Sequence, residues 1–499
     1  MMGPRKQGEA KLFYYGVNLG KRVPEDHILR RIDELVDWGF VRKRVAGSYG
    51  SNGHVSEDPI VIVKLMFLLF FEDVKSEREL MRTLPMRLDW LWFLGMDLAS
   101  EIPDHSVLSK ARKRWGTGVF EELFVAVVRL CVEAGLVGGG KIHVDGSLVD
   151  ADASRDSVKR VDIGRVYRET EGKLTKLEVE KPERQWVSET DPEAVVVGRR
   201  RGKKGSRPRY KHHRAVDDAV GVITAVKTTR ADVSEPHEVE ALIEGHEEST
   251  GEGVQTVVGD GQYGTHENYR LCARKQIRCH LGDVKSGQSQ SGPKHFTRED
   301  FQYDPVEDVY RCPGGEVLIR SWRKAVEQRG DAEYRMRNGV CPNCPLKEQC
   351  TTSKHGRRLK VPLDLEWVEQ GRRESLSPAG YRDRRRRKYR IEGSFGDATR
   401  CHHFKRARWR GLEKQSIQDS LIAVCQNLRI LCSRGWYLNG YEGVSPIKSG
   451  LKESYPLLSK LFQRFLRPPL GFCESKMARR SEGRPHRWLS ASSQVTLLW

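Results

Sequence analysis

Three acids and four cysteines are the residues of this chain whose types and spacing could carry chemistry. Asp145 stands in KIHVDGSLV and Asp260 in VVGDGQYG. Each follows a short apolar run, so each is read as an acid delivered at a strand end and followed by glycine. Such an acid is exposed yet rigidly held, and two on neighbouring strands could bind a divalent cation between them. An Asp-Gly pair after a strand is also an ordinary turn signal. The third acid, Glu392, ends YRDRRRRKYRIE, where seven of residues 382–390 are Lys or Arg. On a helix Lys388 lies one turn before Glu392, so a cation and an acid share one face. The plainer alternative is a solvated basic helix with an incidental glutamate.

The cysteines suggest a different chemistry. Cys312 lies in YRCPGGEVL, and Cys341, Cys344 and Cys350 in CPNCPLKEQC. Two thiols at a Cys-x2-Cys spacing, a third six residues on and a fourth upstream suit tetrahedral Zn²⁺. Four thiolates leave no position for water, so zinc here would be structural. Four unrelated reduced thiols are the alternative. The other seven of the eleven cysteines read as core or surface thiols.

The elements that must hold these groups follow from periodicity. Residues 54–115 read as helical, with Leu65, Leu69, Leu80, Leu84, Leu88 and Leu91 at helical steps. Asp104 and Ser106 stand as N-caps ahead of the basic segment Lys110–Arg114. A core bundle and a small basic DNA-binding module are equally good readings of this region. Another helix carries Phe120, Leu123, Phe124, Val127, Val128 and Cys131 on one stripe and ends at three glycines. Strands are read at 141–145, 221–228 and 255–259, with a short helix at 235–243. That alternation argues for a mixed α/β core. His143, two residues before Asp145, points to the same side and is read as packed or hydrogen-bonded. The polar stretch 150–208, with its basic cluster at 199–204, reads as a long loop or partly disordered insert. A second insert covers roughly 280–375. Beyond it Ile417, Leu421, Val424, Leu428 and Leu431 mark a long amphipathic helix.

Composition sets the setting. The chain has 499 residues, with Lys+Arg 87 against Asp+Glu 68, a net charge of +19 and a pI near 9.4. Such a surplus favours polyanions, either nucleic acid or an anionic membrane surface. The longest apolar run, Ile60–Phe71, is interrupted by Lys64 and too short to span a bilayer. No apolar signal core follows Arg5 and Lys6, and the odd cysteine count disfavours a disulfide framework. The expectation is a soluble, intracellular, basic protein.

Taken together, HVDGSLVDADAS, VVGDGQYGT and RRKYRIEGSFG, with RARWRGLEKQSIQDSLIAVCQNLRIL downstream, resemble a bacterial insertion-sequence DDE transposase. The resemblance is to the IS-four superfamily and its IS-eleven-eighty-two branch. KHHRAVDDAVGVITAVKTTRADVSEPHEVEALI and DPIVIVKLMFLLFFEDVKSERELMR are similar to that family's central strands and amino-terminal domain. It implies an RNase H-like α/β core with catalytic Asp145 and Asp260 on adjacent strands and Glu392 on a helix. The implied division is an N-terminal helical, DNA-binding domain over 1–135 and a first core part over 140–280, holding the polar insert 150–208. A zinc-bearing insert over 281–375 follows, then the core part with the glutamate over 376–435 and a poorly ordered basic tail over 436–499.

The resemblance further implies cleavage and strand transfer with two Mg²⁺ ions, or Mn²⁺, roughly 3.5–4 Å apart and held by the three carboxylates. The partners would be double-stranded DNA, both element ends and target, met by a homo-oligomer in the cytoplasm and nucleoid, with no membrane involved. Arg384, Arg387 and Lys388 are expected to hold phosphates beside Glu392. Positions 385, 388 and 399 depart from the family's Tyr-x2-Arg-x3-Glu-x6-Lys signature, holding Arg385, Lys388 and Thr399. Lys405 or Arg406 would then stand in for the signature lysine. A catalytically silent DNA-binding descendant is the alternative function, and a nuclease of the same fold a weaker one.

Overall fold

The computed structural model describes residues 18–50, 55–170, 173–198, 206–283, 295–322 and 330–438, with residues 2 and 326. The basic cluster at 199–204 and the tail beyond 438 lie outside the described residues.

The central sheet is built from β1 (Lys141–Asp150), β2 (Val158–Thr170), β3 (Lys173–Ser188), β4 (Val195–Val197), β5 (Arg207–Asp217), β6 (Ile223–Arg230), β7 (Thr256–Gly264) and β8 (Arg278–Asp283). Its heart runs β6-β5-β1-β7-β8: the first three strands form an antiparallel meander and the last two lie parallel to β1. Antiparallel neighbours need only the turn at Asp217–Val222. Parallel ones need a crossover, which the helix Val239–Thr250 supplies between β6 and β7. The β1 residues Ile142 and Val144 are fully buried with Ala215, Val257 and Leu281.

One expectation changes here. The stretch 150–208 is not a loop: β2 and β3 form a long hairpin, joined through β4 to the start of β5. Val158, Val161, Val166, Leu174, Leu177 and Val179 suit strands, but charged neighbours on both sides hide the alternation. The region 281–375, read as an insert, carries a sheet of its own. It is a five-stranded antiparallel sheet, in chain order β9 (Gln302–Asp304), β10 (Val309–Arg311), β11 (Val317–Ser321), β12 (Asp331–Met336) and β13 (Arg358–Pro362). Phe301, Tyr310, Leu318, Tyr334 and Leu359 fill its separate small core.

The helices at the two ends of the described chain share one core. Every residue of α1 (Pro59–Phe71) is buried, Lys64 included, whose Nζ bonds the Phe93 carbonyl at 2.8 Å. α3 (Leu412–Leu438) packs against both α1 and α2 (Gly118–Glu133), and its Leu421, Val424 and Leu428 share one apolar cluster with Phe67 and Phe70. Arg112, part of the basic segment read as DNA-facing, is buried; it pairs with Glu77 at 2.5 Å and stacks 3.8 Å from the Trp409 ring. α3 also repairs the sheet. Asn427 accepts from the Ile223 N–H at 2.9 Å and donates to the Ile223 carbonyl at 2.7 Å, acting as one more strand residue beside β6.

Among the buried polar groups of β5, His213 gives a measurable consequence. Its Nε2 lies 2.8 Å from Thr229 Oγ1. Burial first, then the charges of His212, Lys211 and Lys227, push its imidazole down to about 3. The unfolded imidazole titrates near 6.5, so the unfolded chain takes the proton more readily. Stability is therefore full above pH ~6.5 and falls as the pH drops towards 3, by up to about 1.4 kcal/mol per pH unit. Urea midpoints between pH 7 and pH 4 should record that fall, and His213→Gln should flatten it; equal slopes in the two proteins would clear His213.

Candidate active site

The site begins where two parallel strands part. β1 and β7 pair only over Lys141–His143 and Thr256–Val258, with His143 opposite Val258. Two residues beyond each partner, on the same face, stand Asp145 and Asp260. Neither ends its strand, as the sequence had suggested: β1 continues beside β5 to Asp150, and β7 runs to Gly264. The divergence of the two strands, rather than a terminus, opens the space between the acids. Glycine permits the tight path beyond: a Cβ on Gly264 would lie 1.7 Å from the Gly282 carbonyl oxygen. Asp145 Oδ1 accepts from the Gly146 N–H at 2.9 Å, and Asp260 Oδ1 from the Gln262 N–H at 2.8 Å.

One cation joins the two acids. Arg387 Nη2 lies 2.7 Å from Asp145 Oδ2 and 3.8 Å from Asp260 Oδ2. Burial raises the Asp145 carboxyl above its ordinary range; Arg387 opposes that shift and Asp260 adds to it. Arg387 is the last residue of α4 (Pro378–Arg387), which Ser377 caps by accepting from the Gly380 N–H. Ion pairs with the sheet and its turn hold this basic helix down, through the helix's own Asp383 and Arg386. Asp383 takes Lys141 at 2.9 Å and His280 at 2.7 Å, while Asp218 takes Arg386 at 2.9 Å and His143 at 2.8 Å. His143 is thus buried and hydrogen-bonded, as read.

The expected DNA face differs in detail. Arg387 is turned inward to Asp145, and Arg384 donates to the Ser375 carbonyl. Helical geometry cannot send seven neighbouring cations to one side, and α4 turns these two to protein acceptors. Arg382, Arg385 and Lys388 are exposed instead. Glu392 ends a π-helical turn, Lys388–Glu392, whose backbone runs beside β1 and β5. Its side chain is exposed, on a turn packed beside the strand that carries Asp145. π-turns of this kind recur at functional sites. Buried Ile391 anchors the turn, and Arg214 reaches Ser394 Oγ at 2.7 Å just beyond it. Lys405 donates to Ser147 Oγ, two residues along β1 from Asp145, while Arg406 is exposed 3.8 Å from Asp152.

Three further residues crowd the aspartates, and the sequence reading had none of them. Glu235, at the start of the turn after β6, packs against Gly146; a Cβ there would stand 2.8 Å from Glu235 Cδ. Lys211 Nζ is 3.8 Å from Glu235. Tyr263, wholly buried on β7, has a hydroxyl with no hydrogen-bond partner among the described residues. Glu235 sits in the polar run SEPHE, with no apolar frame to single it out.

The four cysteines also converge. Cys312, Cys341, Cys344 and Cys350 line one cavity of about 20 Å³ at the end of the small sheet. A Cβ on Gly314 would lie 3.6 Å from Cys312 Sγ and 3.7 Å from Cys344 Sγ. The Arg357 N–H points at Cys341 Sγ from 3.4 Å, and burial raises the Cys350 thiol, with the other three thiols adding to the rise. Among the described residues, no three His, Cys, Asp or Glu side chains stand at metal-ligand spacing. The donor types nonetheless fit the expected ions: hard carboxylates around a cation at one site, four soft thiols around a small cavity at the other.

With that geometry in view, two family models match the chain. A transposase domain (DUF772) matches residues 17–114, and a transposase DDE domain matches residues 311–432. Each match covers part of the chain, and both matched models describe transposase domains. DDE domains belong to DNA-cutting enzymes and generally use divalent metal ions. No curated protein matches. Among solved structures, a piggyBac transposase synaptic complex with hairpin DNA aligns over 83% of this chain and 75% of its own, at 10% identity and a TM-score of 0.31. Among the described residues, no helix is long and apolar enough to cross a membrane.

The ion pair has a measurable role. Arg387→Ala leaves two neighbouring carboxylates, one of them largely buried, without their shared cation. The metal-free protein should lose on the order of 3 kcal/mol of stability, read by urea unfolding at pH 7. A loss under 0.5 kcal/mol would show the pair to be incidental.

Proposed function

We propose that this protein is a DDE transposase that cuts the ends of its element and joins them to target DNA. The observation carrying this reading is the pair Asp145 and Asp260, in lateral register on parallel strands and converging on one cation. The strand order β6-β5-β1-β7-β8, three antiparallel strands followed by two parallel ones, supports an RNase H-like core.

Asp145, Asp260 and Glu392 are the residues that would hold Mg²⁺ or Mn²⁺. When bound, the ions would supply charge for the attacking and leaving oxygens of phosphodiester transfer. The chain's own groups prepare the site. β1 and β7 hold two carboxylates on a rigid frame, and the π-turn carries Glu392 on the adjoining surface. Arg387 keeps the aspartates neutralised, and the exposed cations Arg382, Arg385 and Lys388 offer phosphate contacts, which position DNA without reading sequence. Lys405, beside Ser147, lies near enough to steady a phosphate close to Asp145. No covalent protein nucleophile is needed. The basic charge supports DNA as the partner; a cytoplasmic, nucleoid-associated homo-oligomer on element ends and target follows from the transposase reading. Persistence of all three acids favours an active enzyme over a silent descendant.

The four-thiol cavity supports a structural Zn²⁺ held by Cys312, Cys341, Cys344 and Cys350. It would tie the β10–β11 turn to the chain after β12. Such a site has no free coordination position, so it would serve folding alone.

Two experiments test these readings. In a strand-cleavage assay on end-bearing DNA with Mg²⁺, Asp145→Asn and Glu392→Gln should each abolish product while DNA retention in gel shift is unchanged, and EDTA should stop the wild type. Cutting by Asp145→Asn at the wild-type rate would remove the assignment. For zinc, elemental analysis should find one equivalent in the wild-type protein and much less in Cys344→Ser, whose unfolding midpoint should also fall. A zinc-free wild type of unchanged stability would leave four ordinary thiols.

A further inference from the structure

The carboxylate that the reading above does not use is Glu235. It reaches the site from β6, through the turn Glu235–Glu238, and rests on the backbone of Gly146, next to Asp145. Its side chain is only 19% exposed, and among the described residues it accepts no hydrogen bond. The nearest cation, Lys211, is 3.8 Å away and donates to the Val233 carbonyl at 2.6 Å. A largely buried carboxylate without a donor is costly. Here the cost is compounded, because Asp145 and Asp260 both act on it as like charges. Arg387 pairs with Asp145 and lies 3.8 Å from Asp260, whereas among the described residues no cation comes closer to Glu235 than Lys211.

A second, independent feature points into the same space. Tyr263 is wholly buried, and among the described residues its hydroxyl finds no partner. Its ring starts beside Gly259, the residue before Asp260, and the charges that bear on its hydroxyl are those of Asp145, Glu235, Asp260 and Arg387. Buried hydroxyls are bonded as a rule. One left open beside three acids is placed for a partner that is not a protein side chain, such as a water held by an ion.

We propose that Glu235 is a further metal-holding carboxylate of this site, completing with Asp145 and Asp260 a cradle for a divalent cation. The inference rests on the transposase reading for the identity of the ion but names a residue that reading does not require. Arg387 is the resident cation of the cradle in the metal-free protein. Its guanidinium stands between the two aspartates, and the three acids are not drawn to ligand distance around it. The charge of the acids, rather than a preformed geometry, is what selects a divalent ion, and removing one of three carboxylates should weaken binding steeply.

The test is Mn²⁺ titration of the full-length, DNA-free protein by calorimetry, with free Mn²⁺ followed by electron paramagnetic resonance. Glu235→Gln should weaken Mn²⁺ binding by about tenfold or more, as Asp145→Asn and Asp260→Asn do, whereas the exposed Glu248→Gln should not. Glu235→Gln should also lose Mg²⁺-dependent cleavage while retaining DNA. Wild-type Mn²⁺ affinity in Glu235→Gln, with the two aspartate variants impaired, overturns this proposal and leaves the transposase reading standing. Wild-type affinity in the aspartate variants too would remove the metal site altogether. Should Glu235→Gln not fold by circular dichroism, Glu235→Asp keeps the charge and withdraws it by one methylene. A drop of about threefold or more is then expected, and unchanged affinity overturns the proposal.

Discussion

Like charges cannot be gathered in a partly buried cleft without a cation among them, and much of this structure is organised by that constraint. β1 and β7 hold two carboxylates side by side because their ladder stops at His143 and Val258. The balancing charge must come from outside the sheet, and α4 brings it. For Arg387 to sit between the acids, α4 must lie close against the edge of the sheet. Lys141 with Asp383, His280 with Asp383, and Arg386 with Asp218 hold it there. Part of the +19 charge is thus used within the molecule, on its own acids, before any polyanion arrives.

Behind the cleft lies a buried polar layer that links the same strands to the C-terminal helices. Arg214, paired across the ladder with Asp145, is fully buried and reaches His212, Ser394 and Gln426. Asp419 accepts from Thr228 at 2.6 Å and lies 3.0 Å from His212. Phe395 and Phe404 pack around the Arg214 guanidinium, their ring centres 4.2 and 5.2 Å from it. A charge this deep is expensive unless it is bonded. Its partners lie on β5, on α3 and on the segment carrying Ser394, so the layer sets where the π-turn and Glu392 stand relative to β1. The position of the exposed glutamate is thereby determined from the interior.

Much of this was legible in the sequence. Asp145 and Asp260 stood out because short apolar runs framed them, and burial of Ile142, Val144, Val257 and Val258 is what makes those runs strands. The four cysteines were legible from spacing, since nearby turns bring such thiols together. Arg387 was not separable from its neighbours: seven cations in nine residues carry no sign of which one turns inward. Glu235 was hidden for the opposite reason, as a polar residue in a polar turn whose meaning comes only from the strand beside it. The hairpin of β2 and β3 was misread because charged residues on both sides of each strand obscure the period of two. For Arg112 the basic context pointed outward, whereas Glu77 and Trp409, far off in sequence, draw it in.

The core shared by α1 and α3 has a consequence for how the chain is made. The Cys425 thiol lies against the Phe67 carbonyl across 358 residues of sequence. Ribosomes extend chains at about 5–20 residues per second, so roughly 20–70 s separate synthesis of the two surfaces. During that interval α1, apolar around its whole circumference, has no finished partner and must be sheltered by neighbouring helices or by chaperones. The N-terminal helices cannot reach their final packing as the first domain off the ribosome, and a chain terminated before residue 412 would leave this hydrophobic surface uncovered for good.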